Sequence, residues 1–240
     1  MLLGKDHDLA AVWTDDNHMR FRKLKIQIQE LLEKDEFPAA LEEICNLPSI
    51  QVVNPLFSFF HAGNELLKWR AITAMGRVVS MMAARNPESA RVVMRRLIWN
   101  LNDESGGIGW GSPEAMGEIM AQNKDMAGEY HHLLLSFIMP HGNFIEHAIL
   151  QRGVLWGIGQ FAHAEPALVQ SSIDYLIPFM TAQDPFLRGL ASWTSALYNY
   201  EPTNRLLIQN KQDHSLIVIY QNSQLKEVTV SFMASQNNSG

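Results

Sequence analysis

The chain of 240 residues is long enough for one large domain or a short repeat array whose core needs neither disulfides nor metal. Hydrophobic residues make up 47% and charged residues 18%, as in a folded rather than a disordered protein. The net charge of −6 argues against a general nucleic-acid binder, and the single cysteine, Cys45, excludes an internal disulfide or a cysteine metal cluster.

The N-terminal part predicts an amphipathic helix over residues 19–36, with apolar side chains on one face and Lys and Glu on the other. We interpret residues 1–48 as helices that cap a larger array. The chain shows no secretory signal and no apolar run of the ~18 residues that a membrane span needs. These observations predict a cytoplasmic protein with no membrane partner.

Helix signals dominate up to about residue 210. Apolar residues recur at helical spacing, as in the stripe formed by Leu66, Leu67, Ile72, Met75, Val78, Val79 and Met82. A capping residue precedes proline at Asn54-Pro55, Asn86-Pro87, Ser112-Pro113 and Asp184-Pro185. Each pair predicts a helix start, because a side-chain oxygen satisfies the free N–H groups and proline has no N–H to lose.

A weak repeat begins at residues 69, 110, 152 and 188, where a stretch of about eight residues mixes glycine, alanine and serine with large apolar residues. Periods of about 40 residues suit pairs of helices that must stack in order to bury their apolar faces. Small side chains in the second helix of each pair would let neighbouring helices approach closely. We therefore predict a HEAT-like repeat array over residues 49–210.

Residues 175–191 resemble a HEAT repeat, with Pro178 in the first helix, Asp184 in the turn and Arg188 opening the second helix. Residues 53–57 and 69–71 form a looser copy. The stretch 99–117, together with the chain end, is similar to an uncharacterised family of bacterial HEAT-repeat proteins. The resemblance implies an all-α, right-handed α-solenoid of about four helical hairpins, whose second helices line the concave face.

The C-terminal part has a different pattern. Residues 214–220 and 226–232 are rich in β-branched and aromatic residues, and the polar stretch 221–224 separates them. This pattern predicts a small β-hairpin within a segment 211–235, followed by a disordered tail at 236–240. Because an isolated hairpin is only marginally stable, it must pack on the last repeat or pair with another chain, and pairing would give a homodimer.

A glycine-rich loop at 102–114 is the most unusual stretch, and it holds Asn102, Asp103, Glu104, Trp110 and Glu114. Its carboxylates and its tryptophan predict a loop that binds a ligand or partner. The alternative is a tight connector in which Trp110 fills the core and Glu114 interacts with the helix dipole.

A basic segment at 68–96 carries seven Lys or Arg residues and one acidic residue, Glu88. With Trp69 and Trp99 beside it, the segment could bind phosphates, as in HEAT-like DNA glycosylases, with Asp103 or Glu104 as the acid. The alternative is that these arginines solvate helix faces and bridge to glutamates in the next repeat. Because no motif supports a glycosylase, this function ranks second, behind a non-enzymatic scaffold.

Tryptophans recur in the second helices at Trp69, Trp110, Trp156 and Trp193. Their positions within the repeat unit differ, and a helix turns about 100° per residue, so they cannot all face one groove. Histidines cluster between residues 131 and 163 without the spacing of a helical metal site, which predicts no metal. A sensor of a metal or small molecule is the third and weakest hypothesis.

The absence of a catalytic motif favours a non-enzymatic scaffold for protein–protein interaction, with no cofactor, that uses the concave helices and the glycine-rich loop. The candidate binding residues are Asn102, Asp103, Glu104, Trp110, Glu114, Trp69, Arg70, Arg152 and Trp156.

Overall fold

The computed structural model describes residues 6–101 and 109–236, with side chains from residue 19 onward. Within these ranges the chain forms twelve α-helices and one two-stranded antiparallel sheet. The helices are α1 (Asp6–Glu33), α2 (Phe37–Cys45), α3 (Ser49–Phe59), α4 (Glu65–Arg85), α5 (Pro87–Leu101), α6 (Ser112–Gln122), α7 (Lys124–Ser136), α8 (Ala148–Ala164), α9 (Ile177–Met180), α10 (Pro185–Ser195), α11 (Glu201–Asn210) and α12 (Val230–Ala234). The strands are β1 (Leu216–Gln221) and β2 (Gln224–Thr229), and 3₁₀ turns at Pro166–Leu168 and Gln170–Leu176 precede α9.

The helices stack as antiparallel pairs in two layers. Helices α4, α6, α8, α10 and α12 pack side by side in chain order, and we call them the second-helix layer. Helices α3, α5, α7, α9 and α11 form the first-helix layer, each packed on a helix of the other layer. The predicted all-α array of helical hairpins is confirmed, and α11 with α12 adds a fifth, shorter pair to the four expected.

Close approach of α6 and α8 depends on glycine. A Cβ placed on Gly117 would lie 2.4 Å from the Cα of Gly157, which is closer than real Cβ contacts come. The predicted role of small residues is therefore confirmed at this helix crossing. Large apolar side chains fill the space around it, and the predicted stripe of α4 is buried apart from Leu66, which is half-buried.

Helices begin at three of the four predicted sites, at Pro87, Pro113 and Pro185. The predicted cap by Ser112 is wrong, because Ser112 lies inside α6 and its hydroxyl has no hydrogen-bond partner among the described residues. The fourth predicted start is wrong, because Pro55 lies inside α3, which begins directly after Pro48. Proline in a helix interior removes one backbone hydrogen bond. The buried apolar side chains on both sides of Pro55, such as Val52 and Phe57, offset that loss.

Two arginine–aspartate pairs among the described residues join neighbouring repeats in the C-terminal half of the array. The Nε of Arg188 donates to Asp213 over 2.8 Å, and its Nη1 donates to the carbonyls of Ala182 and Gln183. In the preceding repeat, the Nε of Arg152 donates to Asp184 over 2.8 Å. Because Arg188 also satisfies two carbonyls of the turn before α10, its pair with Asp213 positions that turn.

The β-hairpin turns at Asn222 and Ser223, whose φ angles of 52° and 63° match a type I′ turn. The predicted hairpin is confirmed, but its second strand ends at Thr229 rather than at Phe232. The hydroxyl of Thr229 accepts from the backbone N–H of Phe232 and so caps α12. The hairpin is thus an insertion between the two helices of the last pair.

Strand β1 runs across the second-helix layer towards the N-terminal repeats. Ile217 contacts α10 at Gly189, Ile219 is buried near the centre, and Tyr220 stacks on Trp69 of α4. The hairpin therefore packs on the array itself, and its contacts reach from the last repeats back to the first.

At the N-terminal end, α1 and α2 pack on α3 and α4. The predicted helix over 19–36 is present, but it ends at Glu33 and a second helix begins at Phe37. The domain boundaries predicted after residues 48, 210 and 235 stay predictions. In the part of the chain with described structure, no helix is long and apolar enough to cross a membrane.

Candidate functional site on the second-helix layer

A cavity of about 340 Å³ opens on the second-helix layer beside the hairpin, and we call it the Glu114 cavity. Four of the predicted binding residues line it: Trp69 from α4, Glu114 from α6, and Arg152 and Trp156 from α8. Residues that are far apart in sequence thus meet because their helices are neighbours in one layer. The rest of the lining is mostly apolar, and it includes Ile149, Phe186, Leu190, Val218, Ile219 and Leu225.

Three aromatic rings form one wall of this region. The ring centroids of Trp69 and Trp156 are 4.7 Å apart with 56° between the ring planes. Tyr220 of β1 stacks on Trp69, with centroids 5.4 Å apart and 6° between the planes. The three rings therefore form one contiguous aromatic cluster beside the Glu114 cavity.

Glu114 is the unusual polar group of the cavity. The residue is 7% exposed, and its Oε2 has no hydrogen-bond partner among the described residues. A Cβ on Gly153 would lie 2.6 Å from its Oε1, so the missing side chain at Gly153 makes room for the carboxyl group. Burial raises the pKa of Glu114 from 4.5 to about 7, and the positive charge of Lys68 opposes that rise.

The two cations of the cavity already have acidic partners. The Nζ of Lys68 lies 3.3 Å from Glu65, and the Nε of Arg152 lies 2.8 Å from Asp184. The guanidinium of Arg152 also stacks over Phe186, 4.3 Å from its ring centroid. Glu114 is therefore left as an acidic group without an ion pair of its own among the described residues.

A second cavity of about 330 Å³ lies one helical turn further along the same layer, and we call it the Glu118 cavity. Glu118 is also buried, and burial raises its pKa to about 7. In contrast to Glu114, both of its oxygens accept hydrogen bonds, from Gln122 over 3.1 Å and from Gln160 over 3.3 Å. Trp156 and Ile219 line both cavities and separate them.

Two predicted binding residues lie elsewhere. Arg70 is buried, and its Nη1 donates over 2.8 Å to the carbonyls of Leu32 and Lys34 at the end of α1. Its role is structural, because these carbonyls have no partner within α1. Trp110 is half-buried before α6, outside both cavities, with its ring 6.2 Å from that of His61.

Part of the glycine-rich loop falls outside the described residues. These include Asn102, Asp103 and Glu104, whose predicted role in binding stays a prediction. At the described end of the loop, Gly111 adopts a φ of 76° directly before α6. This positive φ is the backbone conformation that glycine adopts at low energy.

Three arginines of the basic segment, on α5, are held by contacts within that helix and with neighbouring helices. Arg91 of α5 pairs with Glu88 and with Glu129 of α7, and Arg95 also pairs with Glu88. Arg96 donates to Asn54 and stacks over Phe57, 3.9 Å from its ring centroid. These contacts match the alternative in which arginines bridge neighbouring repeats.

The histidine cluster does not form a metal centre within the described residues, where no three His, Cys, Asp or Glu side chains group as metal ligands. His163 instead stacks on Trp193, with ring centroids 4.5 Å apart, and burial lowers its pKa.

Sequence reasoning missed Glu118 and Tyr220. Glu118 follows Glu114 by one helical turn, so helical periodicity could have placed it on the same face. For Tyr220 no local signal exists, because its contact with Trp69 joins the end of the chain to its first third.

Comparison with known proteins gives limited similarity. No model of a known protein family matches the chain. An uncharacterized protein of Archaeoglobus fulgidus is 29% identical over 107 residues, which cover 45% of this chain and 52% of that protein. The chain thus matches about half the length of this archaeal relative, and membership of the bacterial HEAT-repeat family stays a prediction.

Among solved structures, the chain is similar to designed and engineered proteins. One is a designed armadillo repeat protein in complex with the peptide (KR)4, with a TM-score of 0.45 and 14% identity over 78% of this chain and 91% of that one. Another is an engineered protein with a TM-score of 0.47 and 12% identity over 80% of this chain and 92% of that one. The stacking of helical pairs described above rests on the helix contacts of this chain itself.

Proposed function

We propose that this protein is a non-enzymatic interaction scaffold that binds an extended segment of a partner protein on its second-helix layer. The observation that carries the proposal is the path of β1. This strand lies extended across the layer and inserts Ile219 between the two cavities, with Tyr220 in the lining of the Glu118 cavity. The surface thus already accommodates one extended segment, and it offers two further cavities beside it.

The chemistry of the layer supports a basic partner segment. Glu114 is a buried carboxyl group in the lining of its cavity and has no ion pair among the described residues, whereas both oxygens of Glu118 already accept hydrogen bonds. A positively charged segment would supply the missing counter-charge, and complementary charge increases the specificity of an interface. Exposed apolar residues at the rim, Ile149, Val218 and Leu225, would lose contact with water on binding.

The glycine-rich loop belongs to the same proposal. It leads directly into α6, the helix that carries both carboxyl groups, so a partner segment on the layer would pass close to the end of the loop at Gly111. We propose that residues 102–108 also contribute to binding, only because they are close in sequence to Gly111 and α6.

Peptide selection against the full chain tests the proposal. We expect peptides enriched on the wild-type protein to lose about tenfold in affinity when Ile149→Ser and Val218→Ser are combined, because both side chains line the Glu114 cavity. The matched control combines Ile208→Ser and Val92→Ser, two exposed residues of the first-helix layer. The proposal fails if no peptide is enriched, or if both double variants bind the enriched peptides like the wild type.

We propose separately that the protein forms a homodimer in which a strand of the hairpin pairs with the hairpin of a second copy. Each strand has a single strand partner within the described residues, so its other edge has no strand beside it there. Light scattering at high protein concentration tests it, and a monomeric mass throughout would exclude the dimer.

A further inference from the structure

We propose that the Glu114 cavity binds the ammonium group of a lysine side chain on the partner segment, with Glu114 as its counter-ion and Trp69 and Trp156 beside its alkyl stem. This inference rests on the proposed function and specifies which side chain the partner must present.

The first argument is the unsatisfied state of Glu114. A buried carboxyl oxygen without a hydrogen-bond partner is energetically unfavourable, and most such groups in folded proteins are satisfied by protein, water or ligand. Glu114 contributes to the lining of the cavity with the 7% of its surface that is exposed, and Oε2 lies just below that surface, closed to solvent. A donor that carries positive charge is the strongest partner for it.

The second argument is the shape and chemistry of the walls. A lysine side chain has four methylene groups, which need apolar contacts, and a charged end, which needs an acid and favours the faces of aromatic rings. The cavity provides apolar side chains at its rim, two tryptophans along its wall and Glu114 at its floor. The volume of about 340 Å³ leaves room for the side chain and part of its backbone.

The third argument is the contrast with the other groups of the layer. Glu118 is as buried as Glu114, but it accepts hydrogen bonds from Gln122 and Gln160 and needs no ligand. Lys68 and Arg152 are held by Glu65 and Asp184, so they do not provide the missing partner. One free oxygen suits a single ammonium donor better than the two-pronged guanidinium of arginine.

The experiment uses the full chain and a lysine-containing peptide from the selection described above. We measure its Kd by calorimetry, together with that of the same peptide in which norleucine replaces lysine. We expect norleucine to weaken binding to the wild type about tenfold or more, because it keeps the stem and loses the charged hydrogen bond. The Glu114→Gln variant should lose the same factor, and norleucine should then cause little further loss.

Glu118→Gln is the matched control, on the same helix and at the same burial, and it should keep the wild-type Kd for the lysine peptide. Thermal unfolding of both variants checks that they are folded. The inference is overturned if norleucine binds as tightly as lysine, or if both Gln variants lose affinity equally. Enriched peptides that bind the layer but contain no lysine would overturn it too, while leaving the interaction scaffold standing.

A titration with n-butylamine tests whether the cavity is a site for a partner's lysine side chain or for free amines in general. We expect n-butylamine to shift the indole N–H signals of Trp69 and Trp156 in NMR spectra only at concentrations far above those of the lysine peptide. If n-butylamine alone matches the affinity of the peptide, the cavity is a site for free amines, and the assignment to a partner's lysine is wrong.

Discussion

The phenol ring of Tyr220 on β1 stacks on the indole of Trp69 on α4, with ring centroids 5.4 Å apart and planes 6° from parallel. This contact joins the hairpin near the end of the chain to the helix pair that opens the array. Because Trp69 also packs on Trp156, the stack connects β1, α4 and α8 in one aromatic cluster.

Tyr220→Ala should lower the free energy of unfolding by about 2–4 kcal/mol, because a buried aromatic ring is lost and Trp69 keeps an empty face. Denaturant unfolding followed by tryptophan fluorescence measures the change. Val218→Ala on the same strand removes an exposed side chain and should change stability by less than about 0.5 kcal/mol. Equal effects of the two substitutions would mean that the stack does not hold the hairpin in place.

The contact between Tyr220 of the hairpin and Trp69 of the helical array shows how much of the fold the sequence could predict. Helix pairs and the hairpin depend on local periodicity and turn residues, and both were predicted. The position of the hairpin depends on the meeting of Tyr220 with Trp69, and no pattern within either segment encodes that pairing. The same holds for the Glu114 cavity: the sequence predicts four of its lining residues separately, and the stacking of α4, α6 and α8 brings these four together.

Stability should fall as the pH rises through the range in which Glu114 becomes charged. Burial raises its pKa from 4.5 to about 7, so the folded state holds the proton more tightly than the unfolded state does. The resulting loss of folding stability accumulates between pH 4.5 and 7 and reaches roughly 3 kcal/mol above pH 7. The charged groups that act on Glu114 are Lys68, which lowers its pKa, and Glu65, which raises it.

Glu114→Gln isolates this effect because its amide does not ionise. We expect the variant to be more stable than the wild type at pH 8 and similar to it at pH 4, as measured by urea unfolding at each pH. If the difference in unfolding free energy between the variant and the wild type does not change with pH, folding does not raise the pKa of Glu114, and the prediction is wrong.

Gly117→Ala should destabilise the protein by about 1–3 kcal/mol, because its Cβ would meet the backbone of Gly157 and push α6 away from α8. Gly128→Ala is the matched control within α7, where nothing lies within 4 Å of the new Cβ. That variant should gain about 0.5–1 kcal/mol from helix propensity. Thermal unfolding compares them, and changes of the same sign would contradict the close approach of α6 and α8.

Ser223→Gly should stabilise the hairpin by about 0.5–1 kcal/mol, because Ser223 adopts a φ of 63° that glycine reaches without steric cost. Hydrogen exchange of the amides of β1 provides the local measurement. Gln221→Gly, one residue before the turn in an ordinary strand position, should have the opposite effect. Faster exchange in Ser223→Gly would contradict the type I′ turn.

The insertion of the hairpin within the last helical pair has a consequence for how the array unfolds. In a linear repeat protein each unit touches only its neighbours, so the ends can fray independently of the middle. Here β1 adds a contact between non-neighbouring repeats, and both ends of the hairpin are anchored, by α11 before β1 and by α12 after β2. Losing the last pair therefore also uncovers Trp69 in the first, and the array should melt in a single cooperative transition rather than peel from its C-terminus.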